Sequence, residues 1–240
     1  MPGDPIAIPV PAAAELHLST SSGRVLVIAE ERSDVLIVEG APRSEKIESD
    51  ATGRVRFPSA KGGSAHLEVR CPAGSDLVVG TISGKVELRG PLGLVRVTTV
   101  SSSVRVESAE QIDARSISGS IEVLRSTGRC TLQTKSGQAT CRGAGEAQIS
   151  TLSGRIELEG TTGKVRAQTV SGKIEVGMKA KGDVTVQTIS GSVHVEVPPD
   201  VHPSAKLRSV SGRPRNDCPP GTDCEIRVRS MSGKIEVVPG

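Results

Sequence analysis

The sequence predicts an all-β chain: a single-stranded parallel β-helix, or β-solenoid, with about 18 residues per coil. Three observations point there. A Ser-Gly-centred unit recurs along the second two-thirds of the chain. Val, Ile and Thr dominate the periodic stretches and Gly is abundant, with 27 residues; β-branched residues suit strands and Gly suits tight turns. The chain has no Trp or Tyr and only Phe57, so small aliphatic layers rather than large rings must fill the core.

The unit reads Ser/Thr, apolar, Ser, Gly, variable, apolar, variable, apolar. It appears as TISGKVEL from Thr81, SISGSIEV from Ser116, TLSGRIEL from Thr151, TVSGKIEV from Thr169, TISGSVHV from Thr188 and SMSGKIEV from Ser230. The first position is Ser or Thr in every copy and the third is always Ser. The Gly slot fails once, at Ser102, and the apolar slot between the hydroxyl residues fails once, at Lys135. Helical repeats need over about 30 residues, so a period of roughly 18 points to one turn of a small β-helix. Coils stacked about 4.8 Å apart would put like residues on like, and nine of them would span about 38 Å.

Within the unit, Ile82, Gly84, Val86 and Leu88 share one parity, which predicts one inward face. Val95 and Val97 have the other parity, so each coil needs bends, expected near Ser-Gly, near Gly90–Gly93 and near Thr98–Thr99. The pairs Ser83–Gly84, Ser118–Gly119, Ser153–Gly154, Ser171–Gly172, Ser190–Gly191 and Ser232–Gly233 are the expected turn ladder. Such a ladder is structural. A Ser nucleophile needs a dedicated base within hydrogen-bond reach, and serines repeated at equivalent positions are better read as hydroxyls that satisfy a corner amide or a stacked neighbour.

The domain expectation is an N-terminal arm at 1–14, an irregular β segment capping the solenoid at 15–79, and regular coils at 80–240. Two Pro-rich stretches, 198–206 and 213–224, interrupt the repeat and are expected to protrude as loops. The second is the candidate interaction loop, through Arg213, Arg215, Asp217, Cys218, Asp223 and Cys224.

Chemistry is sparse. No His has metal-ligand spacing to another His or Cys, and Cys218 with Cys224 would offer a soft metal only two thiolates, so no metal and no cofactor is expected. Cys130 and Cys141 occupy apolar repeat positions and read as buried hydrophobes. Cys218 and Cys224 could close a small disulfide loop or remain thiols, and the lack of a secretion signal favours thiols. A column led by Glu87, Glu122, Glu157 and Glu175 reads as a solvated face, with cations beside it. A net charge of +3 without a basic block or aromatic platform argues against nucleic acid. No apolar run reaches the ~18 residues of a membrane span. The N-terminus lacks a basic region before its apolar residues, which predicts a cytoplasmic chain, with envelope association as the alternative.

The repeats, preceded by HLEVRCPAGSDLVVGTISGKVEL from His66, resemble the bacterial putative-adhesin family, β-strand-repeat proteins with an adhesin-like domain of unknown function. The resemblance covers about residues 15–240. It implies a right-handed parallel β-helix and brings no catalytic residues. The expected function is a non-enzymatic interaction or scaffold module whose partner is an unknown protein or cell-envelope polymer. The alternatives are a self-assembling filament like the bactofilins, which makes a homo-oligomer an expectation to test, and a polysaccharide-active β-helix enzyme.

Overall fold

A computed structural model describes residues 5–40, 47–57 and 60–240, with side chains from His66 onward in the last stretch. The first residues of the expected arm and parts of the expected cap, at 41–46 and 58–59, lie outside the described residues. All regular structure described is β, and the arrangement is β-solenoid-like. The chain divides into two compact units, 1–119 and 120–240.

The first unit contains β1 (Ile6–Pro9), β2 (Glu15–Glu30), β3 (Asp34–Glu39), β4 (Glu48–Ser49), β5 (Arg54–Arg56), β6 (Ala60–Pro72) and β7 (Asp76–Ser118). Strand β7 runs for 43 residues. Straight, it would reach about 140 Å, so it must wind. It returns beside its own start: Gly93 donates its N–H to Ser75 O at 3.0 Å, and Leu94 N–H reaches Asp76 Oδ1 at 2.7 Å.

Sequence order and spatial order differ here. Strand β2 lies between β6 and β7, parallel to both, with Val25 opposite Leu67 on one side and Val86 on the other. The segment expected to be irregular or antiparallel therefore contains parallel rungs, because Leu16, Val25 and Val27 continue the inward pattern of the repeat. Among the described residues, antiparallel pairing joins β3 to β6, β1 to β3 and β4 to β5.

The second unit contains β8 (Ile121–Cys141), β9 (Ala144–Thr161), β10 (Val165–Met178), β11 (Val184–Val197), β12 (Ser204–Ser209), β13 (Pro214–Asn216), β14 (Glu225–Ser232) and β15 (Ile235–Pro239). Its ladders are parallel and join equal repeat positions. Thr134 faces Thr151, Thr151 faces Thr169, Thr169 faces Thr188 and Thr188 faces Ser230. After β11 the chain again skips a place: β14 and β15 pair with β11, while β12 and β13 pair outside them. The two Pro-rich stretches are thus not plain loops. They flank and partly form the outermost strands, since Ser204–Ser209 and Pro214–Asn216 still have backbone groups that need partners.

The inward face is aliphatic. Ile149, Ile156, Leu158, Ile174, Val186, Ile226 and Ile235 are fully buried, and Cys130 and Cys141 sit among them as sequence pattern led one to expect. One expectation fails. Ile82, Val100, Ile117, Leu152, Val170, Ile189, Val210 and Met231 are all exposed. The inward positions run Ala147, Ile149, Thr151, and then Ile156, Leu158. The chain turns at Ser-Gly, so parity is not conserved across the corner, and the residue before Ser-Gly points outward.

Candidate functional site

Each corner is built from three residue types with separate jobs. The first is the inward hydroxyl. Thr134, Thr151, Thr169 and Thr188 are buried, and their Oγ1 atoms have no hydrogen-bond partner among the described groups. A small branched side chain there ends the core neatly, at the cost of an unpaired hydroxyl. The coil carrying Ser102 in the Gly slot solves this differently: Thr99 Oγ1 donates to Ser102 Oγ at 2.7 Å, and Ser102 is buried.

The second is the Ser-Gly pair. Gly84, Gly119, Gly154, Gly172 and Gly233 have positive φ. A Cβ on Gly172 would collide with the carbonyl oxygen of Gly154 on the adjacent rung, so only Gly lets the rungs close. Gly191 has the same close approach to Gly172 without the positive φ. Ser118, Ser153, Ser171, Ser190 and Ser232 are exposed beside these glycines, and Ser83 is half-buried with its Oγ 3.4 Å from Ser21 O.

The third is the outward apolar residue, which sequence reasoning placed in the core. In the second unit the rungs carry Leu152, Val170, Ile189, Met231 and Val210 in spatial order, 40–81% exposed. A shallow groove of about 460 Å³ runs between this row and the next outward row, lined by Gln168, Gln187, Arg229, Val170, Ile189 and Met231. The clue was present in the sequence. Counting forward from Leu77 and Val79 makes Thr81 inward and Ile82 outward, and Lys135 in the same column could not have been buried unpaired.

The residues of 213–224 do not form one patch. Arg213 and Arg215 line a second open groove of about 700 Å³ with Pro214, Lys234 and Glu236. Arg215 Nε donates to Asp217 Oδ1 at 2.8 Å. Asp223 lies elsewhere, accepting from Lys181 Nζ at 2.7 Å and from the His202 N–H at 2.9 Å; these bonds hold its carboxyl below the usual range. Cys218 and Cys224 are buried free thiols, and burial pushes both up, so neither is a ready thiolate at neutral pH. The supposed solvated acidic column is also uneven. Glu87 is nearly buried: burial pushes its carboxyl up, but hydrogen bonds from Arg24 and Lys85 prevail and hold it below its ordinary value. Thr140 is buried as well. Among the described residues no three His, Cys, Asp or Glu side chains gather as metal ligands.

Residues 43–237 match the Toastrack DUF4097 family. The chain belongs to that family. No curated protein matches the chain. Solved structures share the fold. One, described as a putative adhesin from Parabacteroides merdae, is 13% identical with a TM-score of 0.54, covering 98% of this chain and 95% of that one. Another, described as a putative lipid binding protein from Parabacteroides distasonis, is 14% identical with a TM-score of 0.53, covering 98% and 97%. The Toastrack chain thus shares an all-β fold with these proteins, and no helix among its described residues is long and apolar enough to cross a membrane.

Proposed function

We propose that this Toastrack chain is a non-enzymatic binding module, a right-handed parallel β-solenoid with about 18 residues per coil that engages a component of the cell envelope through its outward rows. The observation that carries this is the column of exposed aliphatic residues, broken at Lys135, where a globular β protein would put polar side chains. Repetition suits binding to an extended or repetitive partner, because successive rungs present similar chemistry. It suits catalysis less, since equivalent positions give no single privileged residue. The fold neighbours described as adhesin-like and lipid-binding support the same class of role.

Growth into a bactofilin-like filament has less support. The outermost strand of the second unit, β12, presents Lys206 and Arg208 and is bracketed by Pro203 and Pro214, and charges and Pro blunt strand edges. The test is co-sedimentation of the purified chain with isolated peptidoglycan sacculi and with membranes. Saturable binding to either, without release of soluble fragments, is expected. Turnover of an envelope polysaccharide, lost on mutating one exposed residue, would overturn the proposal.

A further inference from the structure

The outward row of the second unit has neighbours of one sign. The outward row on one flank holds Ser150, Gln168, Gln187, Arg229 and Arg208, and the row just past Ser-Gly on the other flank holds Arg155, Lys173, Ser192, Lys234 and Arg213. Neither flanking row contains a carboxylate. Carboxylates appear one outward position further on, where Glu157 pairs with Arg155 at 3.2 Å, Glu236 pairs with Lys234 at 2.5 Å and Glu175 pairs with Lys173. At the Met231–Val210 end three cations lack that compensation. Arg208 and Arg229 are register partners on β12 and β14, and neither they nor Arg213 form an ion pair among the described residues. Two like charges stacked across one rung repel, so their positive potential awaits an anion from outside.

We propose that this edge, the apolar row Leu152–Val170–Ile189–Met231–Val210 with Arg208, Arg229 and Arg213 beside it, docks on the headgroup region of an anionic lipid bilayer. The proposal rests on the binding-module reading and names its partner. Stable surface attachment takes two signals, apolar insertion and attraction to anionic headgroups, and the edge supplies both along one line. The five rungs span about 19 Å, and aliphatic side chains without rings reach only a short way past the backbone, which suits shallow insertion. Guanidinium groups pair with phosphate oxygens through two parallel N–H bonds, so Arg at these positions matches the phosphodiester layer that borders the acyl region. Charge complementarity on both flanks favours a planar anionic surface over a second copy of this chain, which would bring the same cations together.

The experiment is vesicle co-sedimentation of the full chain, with phosphatidylcholine alone and with phosphatidylcholine mixed with phosphatidylglycerol. Binding to the mixed vesicles, weakening as salt rises, is expected, with little binding to phosphatidylcholine alone. Arg208→Gln with Arg229→Gln should lower partitioning by about twenty-fivefold, from about fivefold per basic residue. Ile189→Ser with Met231→Ser should lower it at least about tenfold while leaving the melting temperature unchanged, because both side chains face outward. Equal binding to both vesicle types, no binding to either, or indifference to both double variants would overturn the proposal. So would a dimer, seen by sedimentation velocity, that the Ile189→Ser and Met231→Ser pair dissolves. Binding to an acidic amphipathic peptide in place of vesicles would overturn it too. Retained binding to sacculi with none to vesicles removes the bilayer and leaves the binding module standing.

Discussion

The two units end their ladders by the same exchange and finish it differently. In the first, β2 is held between β7 and the later strand β6, and in the second β14 is held between β11 and the earlier strand β12. Beyond that point the first unit adds antiparallel cover. Strand β3 lies on β6 and β1 lies on β3, and Val35 and Ile37 are fully buried. The second unit stops at β12, whose Leu207 is only half-buried and whose neighbour Val210 is 81% exposed. One end hides its last apolar residues under more chain. The other leaves them at a cationic edge. A coil that cannot bury its own face needs a neighbour, and a difference in what covers the last coil is a difference in what remains for binding.

The largest expected effect lies in what both units share. Gly172→Ala would press a Cβ on the Gly154 carbonyl at positive φ, and should cost about 4 kcal/mol or more, read by urea denaturation. Next come the covers themselves. Ile37→Ala should destabilise by about 3 kcal/mol, since it empties a fully buried site on the strand that β1 flanks.

Acid should separate the units further. The Glu87 carboxyl is enclosed by Arg24, Lys85 and Arg89, and its folded value lies below its ordinary 4.5. A depressed carboxyl contributes stability that is present above the unfolded value and lost as pH falls through the folded one. Glu87→Gln should therefore cost about 2 kcal/mol at neutral pH and flatten the loss of stability below about pH 4.5. In the second unit Glu225 is also held low, by hydrogen bonds from Lys206 and Arg227, but in solvent, so Glu225→Gln should leave the acid transition nearly unchanged. The smallest effect is expected at the uncovered end, where Leu207→Ala should cost under about 1 kcal/mol. A cost there matching that of Ile37→Ala would mean that something covers β12.

Much of this was legible in the residues. The Ser-Gly column announced parallel coils, and the aliphatic positions Val86, Leu88, Ile174 and Val176 were recognisable as core by alternation. The exchanged strands were not, because β2 and β14 carry the same repeat grammar as their neighbours, and local pattern cannot say which rung a unit joins. The candidate site was misread for a different reason. Alternation was carried through the Ser-Gly corner, which drew Ile82 and its equivalents inward, although Thr81 stood in phase with Leu77 and Val79. The Pro-rich stretches looked like loops because Pro forbids central strands, and an outermost strand tolerates Pro nearby.

Everything proposed for the second unit depends on the apolar column facing out while the hydroxyl column faces in. Maleimide labelling tests this directly, because the natural thiols are all buried and Cys71 is pushed up to about 11 by that burial. Ile189→Cys should react rapidly in the native protein at neutral pH, and Thr188→Cys should react only after denaturant is added. Rapid labelling at 188 with protection at 189 would contradict the account.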